Sequence, residues 1–129
     1  MNDDAIVRLY QQMQRQHHEL RRELTWPALR RILAREGIAL LVRPMPRPGK
    51  LLGIDGEWVI LVDKRSPRRH TYYAAHEYAH YKLHVEGCAT GRYEHVYNMD
   101  YFEGHDPREG EAEFLASLLL GGPRFIPRL

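Results

Sequence analysis

This sequence contains a single cysteine, Cys88, among its 129 residues. One cysteine excludes an intrachain disulfide, so we expect a fold held by its hydrophobic core and a reducing, cytoplasmic location. The first residues, which include Asp3 and Asp4, lack an unbroken apolar run, so we expect neither a signal peptide nor a membrane span. Repeats and low-complexity tracts are also lacking. We therefore expect one domain over residues 1–129.

The chain also lacks a strong excess of one charge. Its 19 lysines and arginines face 17 acidic residues, and this balance is too even to indicate a surface that coats nucleic acid. The arginines of "RRELTWPALRRILAREG" and "KRSPRRH" more simply solvate helix faces. We therefore expect no direct binding of nucleic acid. What the sequence does contain is 43% hydrophobic residues, which is enough for one small core.

Apolar periodicity predicts two helices in the first third of the chain. Residues 4–24 are expected to form one long amphipathic N-terminal helix, with His17 and His18 on its solvated surface. The stretch "TWPALRRILAREG" predicts the second helix, because Thr25 can cap its start and Gly37 can end it.

Three short strands are predicted after these helices. "IALLVR" at 38–43 is an apolar run between a helix stop and a proline-rich stretch. "LLGI" and "EWVILVD" are joined by Asp55 and Gly56, a dipeptide typical of a tight hairpin. We expect an α+β fold with a short three-stranded, antiparallel-type sheet. Residues 86–106 show no clear periodicity and are interpreted as a long loop, a kind of segment that is often functional.

The stretch "TYYAAHEYAHYKLH" at 71–84 lies in a helix predicted to begin at Ser66 and Pro67. Helix positions four apart share one face, so His76 and His80 can bind the same metal ion. Glu77 is rotated by about 100° from His76, which places it beside the metal, where it can take a proton from water. This H-E-x-x-H arrangement is typical of zinc peptidases.

A catalytic zinc site needs a third protein ligand and an open position for water. The last helix is predicted to run from Asp106 and Pro107 to the glycines at 121 and 122. The candidates for the third ligand are His84, Cys88, His95, His105 and the acidic residues of this helix. A straight helix lifts His84 about 6 Å beyond His80, so we expect it behind the ligands or at the core edge. Glu109 and Glu113 lie four apart and can both face the active helix, one on the metal and one on the second nitrogen of a ligand histidine.

Together these motifs resemble the ImmA/IrrE-type zinc metallopeptidases. "GEWVILVDKRSPRRHTYYAAHEYAHYKLH" matches the family's H-E-x-x-H helix, and "EGEAEFLASLLL" matches its later E-x-x-A-(N/D/E)-x-(F/L)-A-x-x-L-L motif, within residues 26–123. The resemblance implies a zincin-like, gluzincin-type domain with one zinc per chain. It implies that His76, His80 and Glu109 bind the zinc, that Glu77 is the catalytic base, and that Glu113 supports a ligand histidine.

The resemblance also implies a function, namely a zinc-dependent endopeptidase that cleaves a cytoplasmic regulatory protein such as a DNA-binding transcriptional repressor. The negative oxygen of the reaction needs a donor besides zinc, for which the expected loop offers Tyr93, Tyr97, Tyr101 and His105. The alternative is a non-catalytic, metal-containing module that sequesters a repressor or an antitoxin. Glu77 argues against it, because a purely structural site needs no base between its histidines.

Overall fold

A computed structural model of the chain describes residues 2–65, 70–87, 90–96 and 107–121, which form an α+β fold of helices around a mixed sheet. The helices are α1 (Asp3–Gln16), α2 (Trp26–Arg35), α3 (His70–His80) and α4 (Pro107–Gly121). A short 3-10 turn (His18–Arg21) follows α1, and a π turn (Tyr81–Val85) continues α3. The strands are β1 (Ile38–Arg43), β2 (Gly49–Ile54), β3 (Glu57–Asp63) and β4 (Arg92–Val96). Within these ranges, every helix is too short or too polar to cross a membrane.

The N-terminal helix ends at Gln16, so the prediction of one helix over residues 4–24 is wrong. His17 leaves the helix with an extended backbone, φ −133° and ψ 104°, and its side chain is buried. Its Nε2 lies 3.1 Å from Glu36 Oε2, and its Nδ1 lies 2.9 Å from a guanidinium nitrogen of Arg35. The expectation that His17 lies on a solvated surface is therefore also wrong. Its contacts with the end of α2 replace a further turn of helix.

The second helix and the hairpin are confirmed. Thr25 accepts a hydrogen bond from the backbone N–H of Ala28 at 3.3 Å, and Gly37 ends the helix with a φ of +75°. Asp55 and Gly56 both have positive φ, 50° and 84°, as the tight turn between β2 and β3 requires. Ser66, Pro67, Asp106 and Gly122, which were expected to bound the two later helices, lie outside the described residues.

Among the described residues the sheet has four strands in the order β1-β3-β2-β4, so the expected three-stranded antiparallel sheet is wrong on two counts. First, β1 pairs with β3 in parallel, while β3 also pairs antiparallel with β2 and so lies between the other two strands. Second, β4 lies within the segment interpreted as a loop. It pairs antiparallel with β2, a partner distant in sequence, and the alternation of Tyr93 and His95 in "RYEHV" is too short a pattern to predict a strand by itself.

Helix α3 lies at the centre of the fold, where it contacts α4 and the sheet strands β2 and β3. Its buried alanines, Ala74, Ala75 and Ala79, are fully inaccessible to solvent and let these elements approach closely. The polar side chains His76, Glu77 and His80 of the same helix are buried among them. Because α3 is enclosed on several sides, its polar groups must find partners within the protein.

We predict that Gly53→Ala destabilises the protein by about 1–3 kcal/mol, as overpacking a rigid contact does. A Cβ at Gly53 in β2 would lie 2.3 Å from the Trp58 ring on β3, and that ring is itself packed against Tyr81 and Tyr93. The measurement is urea unfolding. Gly110→Ala in α4 is the control, because a Cβ there meets nothing within 4 Å and should stabilise the helix by about 0.5–1 kcal/mol. Equal midpoints for the two variants would contradict the packing described.

Candidate metal centre

Four side chains from three elements converge beside α3. His76 and His80 on α3, His95 on β4 and Glu109 on α4 each offer one nitrogen or oxygen, and these four atoms lie within 4.8 Å of one another. The ring centroids of His80 and His95 are 3.8 Å apart, and those of His76 and His80 are 4.9 Å apart. Such a group of imidazoles and a carboxylate can hold a metal ion.

Glu109 is the common partner of the three imidazoles. Its Oε2 lies 3.1 Å from His76 Nε2, its Oε1 lies 3.2 Å from His80 Nε2, and it makes a hydrogen bond with His95 Nε2. Burial alone would raise the pKa of Glu109, but its contacts with His76, His80 and His95 hold that pKa well below its usual range. The carboxylate is therefore ionised and available to a cation.

His80 carries the atom that fits a metal best. Its Nε2 is buried and makes no hydrogen bond, despite lying 3.2 Å from Glu109. Burial lowers the pKa of His80 to about 4, so the ring is neutral at physiological pH. A buried polar atom without a hydrogen bond costs stability, and a metal ion would supply its missing partner.

His76 is oriented from its far side by the last helix. Its Nδ1 lies 3.1 Å from Glu113 Oε2, while the hydroxyl of Tyr72 donates to Glu113 Oε1 at 2.6 Å. The structure thus places the two predicted carboxylates of α4 on the two nitrogens of one histidine. Glu109 faces Nε2 and the cluster, and Glu113 faces Nδ1.

Glu77 is fully buried on α3, and both of its carboxylate oxygens contact His95, a member of the cluster. His95 Nδ1 lies 2.9 Å from Oε1 and 2.8 Å from Oε2 of Glu77. Burial raises the pKa of Glu77, although the neighbouring His95 and His76 oppose this shift. Strand β2 begins close to this side chain, since a Cβ at Gly49 would lie 3.5 Å from Glu77 Cγ. A carboxyl group with a raised pKa is suited to accept a proton near neutral pH.

His95 belongs to the cluster, although the sequence named it only as one of several candidates for the third metal ligand. It lies on β4 opposite Leu51 of β2, and the pairing directs it toward α3. Alternation in "RYEHV" puts Tyr93 and His95 on the same face of a strand, which is the signal that could have identified it. That signal was missed because residues 86–106 were interpreted as a loop.

The other predicted site residues lie apart from these contacts or outside the described residues. Tyr93 is half-buried on β4, and its ring centroid lies 5.9 Å from that of Trp58. His84 contacts the far side of His80. The remaining candidates, Tyr97, Tyr101, His105 and Cys88, lie outside the described residues.

No protein-family model and no curated protein matches this chain. Evidence for a function therefore comes from the geometry of the cluster and from the two sequence motifs. Both point to the same face of α3 and the first turns of α4.

We predict that the stabilisation of the protein by zinc increases as the pH rises from 6.5 to about 9. Burial lowers the pKa of His76 and His95, but contacts with Glu109 and with Glu113 or Glu77 raise both to about 9. In the metal-free protein, these raised values stabilise the fold fully below pH 6.5, and this contribution is lost as the pH rises through 9. Zinc must displace the proton from the His76 nitrogen that faces the cluster, and its charge opposes the protonated form of His95 beside it, so its advantage is smallest where these protons bind best.

The measurement is the difference in melting temperature with and without buffered free zinc, at a series of pH values. His18→Gln is a matched control, because His18 is exposed and lies outside the cluster. It should show the same pH dependence as wild type. A difference in melting temperature that is independent of pH would contradict the protonated state assigned to His76 and His95.

Proposed function

We propose that the protein is a zinc-dependent endopeptidase of zincin-like, gluzincin-type fold, with one zinc held by His76, His80 and Glu109. Two imidazoles and one carboxylate are a donor set typical of catalytic zinc. The observation that carries the proposal is the position of Glu77. Glu77 is not one of the four residues that could hold the ion, yet it is fully buried beside them and contacts one of them, His95, with both carboxylate oxygens. The resemblance of both motifs to the ImmA/IrrE-type metallopeptidases supports the same function.

The residues present fit a zinc ion. The Nε2 of His80 lacks a hydrogen bond, Glu109 is ionised, and Glu113 supports His76 from behind, as carboxylates do for zinc-binding histidines. Bound there, zinc would supply Lewis acidity, which polarises a substrate carbonyl and makes water a stronger acid.

In this proposal Glu77 is the general base and then the general acid. It takes a proton from the water that attacks the scissile carbonyl and passes it to the leaving amine. Its buried position and raised pKa favour holding that proton between the two steps. His95 contacts Glu77 through Nδ1 and Glu109 through Nε2, and in this proposal its Nε2–H turns from Glu109, once that carboxylate binds zinc, to the negative oxygen that develops. This role was expected of Tyr93, Tyr97, Tyr101 or His105, and for those residues it stays a prediction.

A protein chain fits the surroundings of the cluster as a substrate. Strand β4 carries His95 and lies at the edge of the described sheet, where it pairs with β2 alone. An extended peptide can add to such an edge through backbone hydrogen bonds, which places its carbonyl groups along the strand. The family resemblance narrows the proposed substrate to a regulatory protein of the cytoplasm, such as a DNA-binding transcriptional repressor.

One observation favours a second candidate function, a metal-containing module that binds a repressor or antitoxin without cutting it. His95 brings a fourth donor to the group of His76, His80 and Glu109. Four protein ligands would close a tetrahedral site and leave no position for water, as in structural zinc sites. The two candidates therefore differ in whether His95 binds the metal.

We predict that Glu77→Gln keeps the fold and the zinc but abolishes proteolysis, because the amide preserves the shape of Glu77 and cannot accept the proton. Wild type and variant are expressed beside candidate repressors, and repressor integrity and reporter output are both followed. Glu57→Gln, on the exposed start of β3, is the matched control and should cleave like wild type. Equal derepression by wild type and Glu77→Gln, with the repressor intact, would reject the peptidase and leave the binding module.

We predict that His95→Ala retains stoichiometric zinc but lowers kcat by about 10²–10³, the usual loss when an oxyanion donor is removed. Zinc content is measured by elemental analysis. The kcat is measured with the intact repressor that wild type cleaves as the substrate. Glu94→Ala, the exposed neighbour of His95 on the same strand, controls for general damage to β4. Loss of zinc from His95→Ala, with zinc retained by Glu94→Ala, would instead support the closed site of the second candidate.

A further inference from the structure

The two histidines of the motif are supported from behind in different ways. The Nδ1 of His76 meets a carboxylate directly, that of Glu113, at 3.1 Å. The Nδ1 of His80 lies 3.2 Å from the Nδ1 of another imidazole, His84. The Nε2 of His84 lies in turn 3.0 Å from Glu111 Oε1 on α4. His80 is thus linked to a carboxylate through an intervening imidazole.

The hydrogen-bonding capacities of these groups determine where the protons lie. An ionised carboxylate only accepts hydrogen bonds, so His84 Nε2 carries a proton and donates it to Glu111. When His84 is neutral, its other nitrogen is an acceptor, so His80 Nδ1 is the donor of the hydrogen bond between the two rings, since two facing lone pairs form no bond. This leaves a lone pair on His80 Nε2, the buried atom that makes no hydrogen bond and faces the cluster.

We propose that His84 is a positioning residue, which with Glu111 fixes the ring and tautomer of His80 so that its Nε2 presents a lone pair to a metal ion. The proposal rests on the proposed metal site at His76, His80 and Glu109. It assigns a role to Glu111, which lies on the same helix as Glu109 and has its carboxylate on the far side of His80 from the cluster.

The local backbone is adapted to this contact. Where a regular helix would continue, residues Tyr81–Val85 form a π turn, closed by a hydrogen bond of 2.8 Å from Glu86 N to Tyr81 O. The ring centroids of His80 and His84 are 5.2 Å apart within this wider turn. π turns inside helices are rare and occur frequently at functional sites. The side chains of His84 and Glu111 are largely shielded from solvent, which strengthens hydrogen bonds between them.

A purely structural role is the competing explanation, since the pair of His84 and Glu111 also joins the end of the α3 region to α4. Both explanations predict lower stability when His84 is replaced. They differ in the metal site, because only a positioning residue changes how His80 binds an ion. The decisive readouts are therefore metal affinity and the spectrum of a bound metal.

The experiment compares His84→Leu with His84→Asn in the full chain. Leucine removes the acceptor that faces His80, whereas the amide oxygen of asparagine can take the place of Nδ1 and accept the same hydrogen bond. Zinc affinity is measured by chelator competition, and the visible spectrum is recorded with cobalt(II) in place of zinc. We expect His84→Leu to bind zinc about 10- to 100-fold more weakly and to shift the cobalt spectrum. His84→Asn should recover most of the affinity and the wild-type spectrum.

His70→Leu is the matched control. His70 lies at the start of α3, and its Nε2 is 2.9 Å from the backbone oxygen of Asp63, so this variant also loses a link between elements. It should lose stability while keeping wild-type zinc affinity and spectrum. Zinc affinity and cobalt spectrum unchanged in His84→Leu, or affinity lost equally in His70→Leu, would overturn the proposal.

The outcome is separable from that of the proposed function. Neither readout requires proteolysis, so wild type that binds zinc without cleaving any protein leaves the effect of His84→Leu fully measurable. His76→Ala, measured in the same titration, shows whether the ion occupies the proposed site. Zinc and cobalt binding that His76→Ala leaves unchanged would reject the site itself, and the role of His84 with it.

Discussion

The contact of the Glu109 carboxylate with three imidazoles is the interaction on which the rest of the site depends. A buried carboxylate is costly unless hydrogen bonds or opposite charges surround it. Glu109 obtains these partners only because α4 crosses α3 and because β4 completes the sheet beside them. The position of one charge thus joins three elements that are distant in sequence. A metal ion bound among them would take over the role that protons on the imidazoles play in the metal-free protein.

Helix α3 combines two requirements that usually conflict. Its face toward the core must be small enough for α4 and the sheet to pack closely, which the alanines at 74, 75 and 79 provide. Its polar residues must still be satisfied in the resulting interior. Each histidine of the motif meets this need with a partner on α4, His76 with Glu113 and His80 through His84. The same helix pairing therefore serves packing and ligand orientation.

Local signals in the sequence were sufficient for the parts of the fold that depend on local chemistry. The cap at Thr25, the positive φ of Gly37 and the turn at Asp55 and Gly56 follow from the properties of those residues alone. The face shared by His76 and His80 follows equally from helix periodicity. These features need no knowledge of the rest of the chain.

What could not be predicted depends on contacts between distant segments. The helix stops before His17 because that side chain meets Glu36 and Arg35, about twenty positions later in the chain. β4 forms because β2 offers it a backbone edge, and His95 enters the cluster only as a consequence of that pairing. Likewise, the sequence predicted only that His84 lies behind the ligands or at the core edge, whereas its contacts with His80 and with Glu111 depend on the π turn and on the packing of α4.

X-ray absorption at the zinc edge of the purified wild-type protein is the most direct test of a catalytic metal centre here. It measures the number and type of atoms that coordinate the ion. An open catalytic site predicts two imidazole nitrogens, one carboxylate ligand and one further oxygen from water. A first shell with three imidazoles and one carboxylate, and no water, would contradict it, because His95 would then occupy the position that a hydrolytic reaction requires.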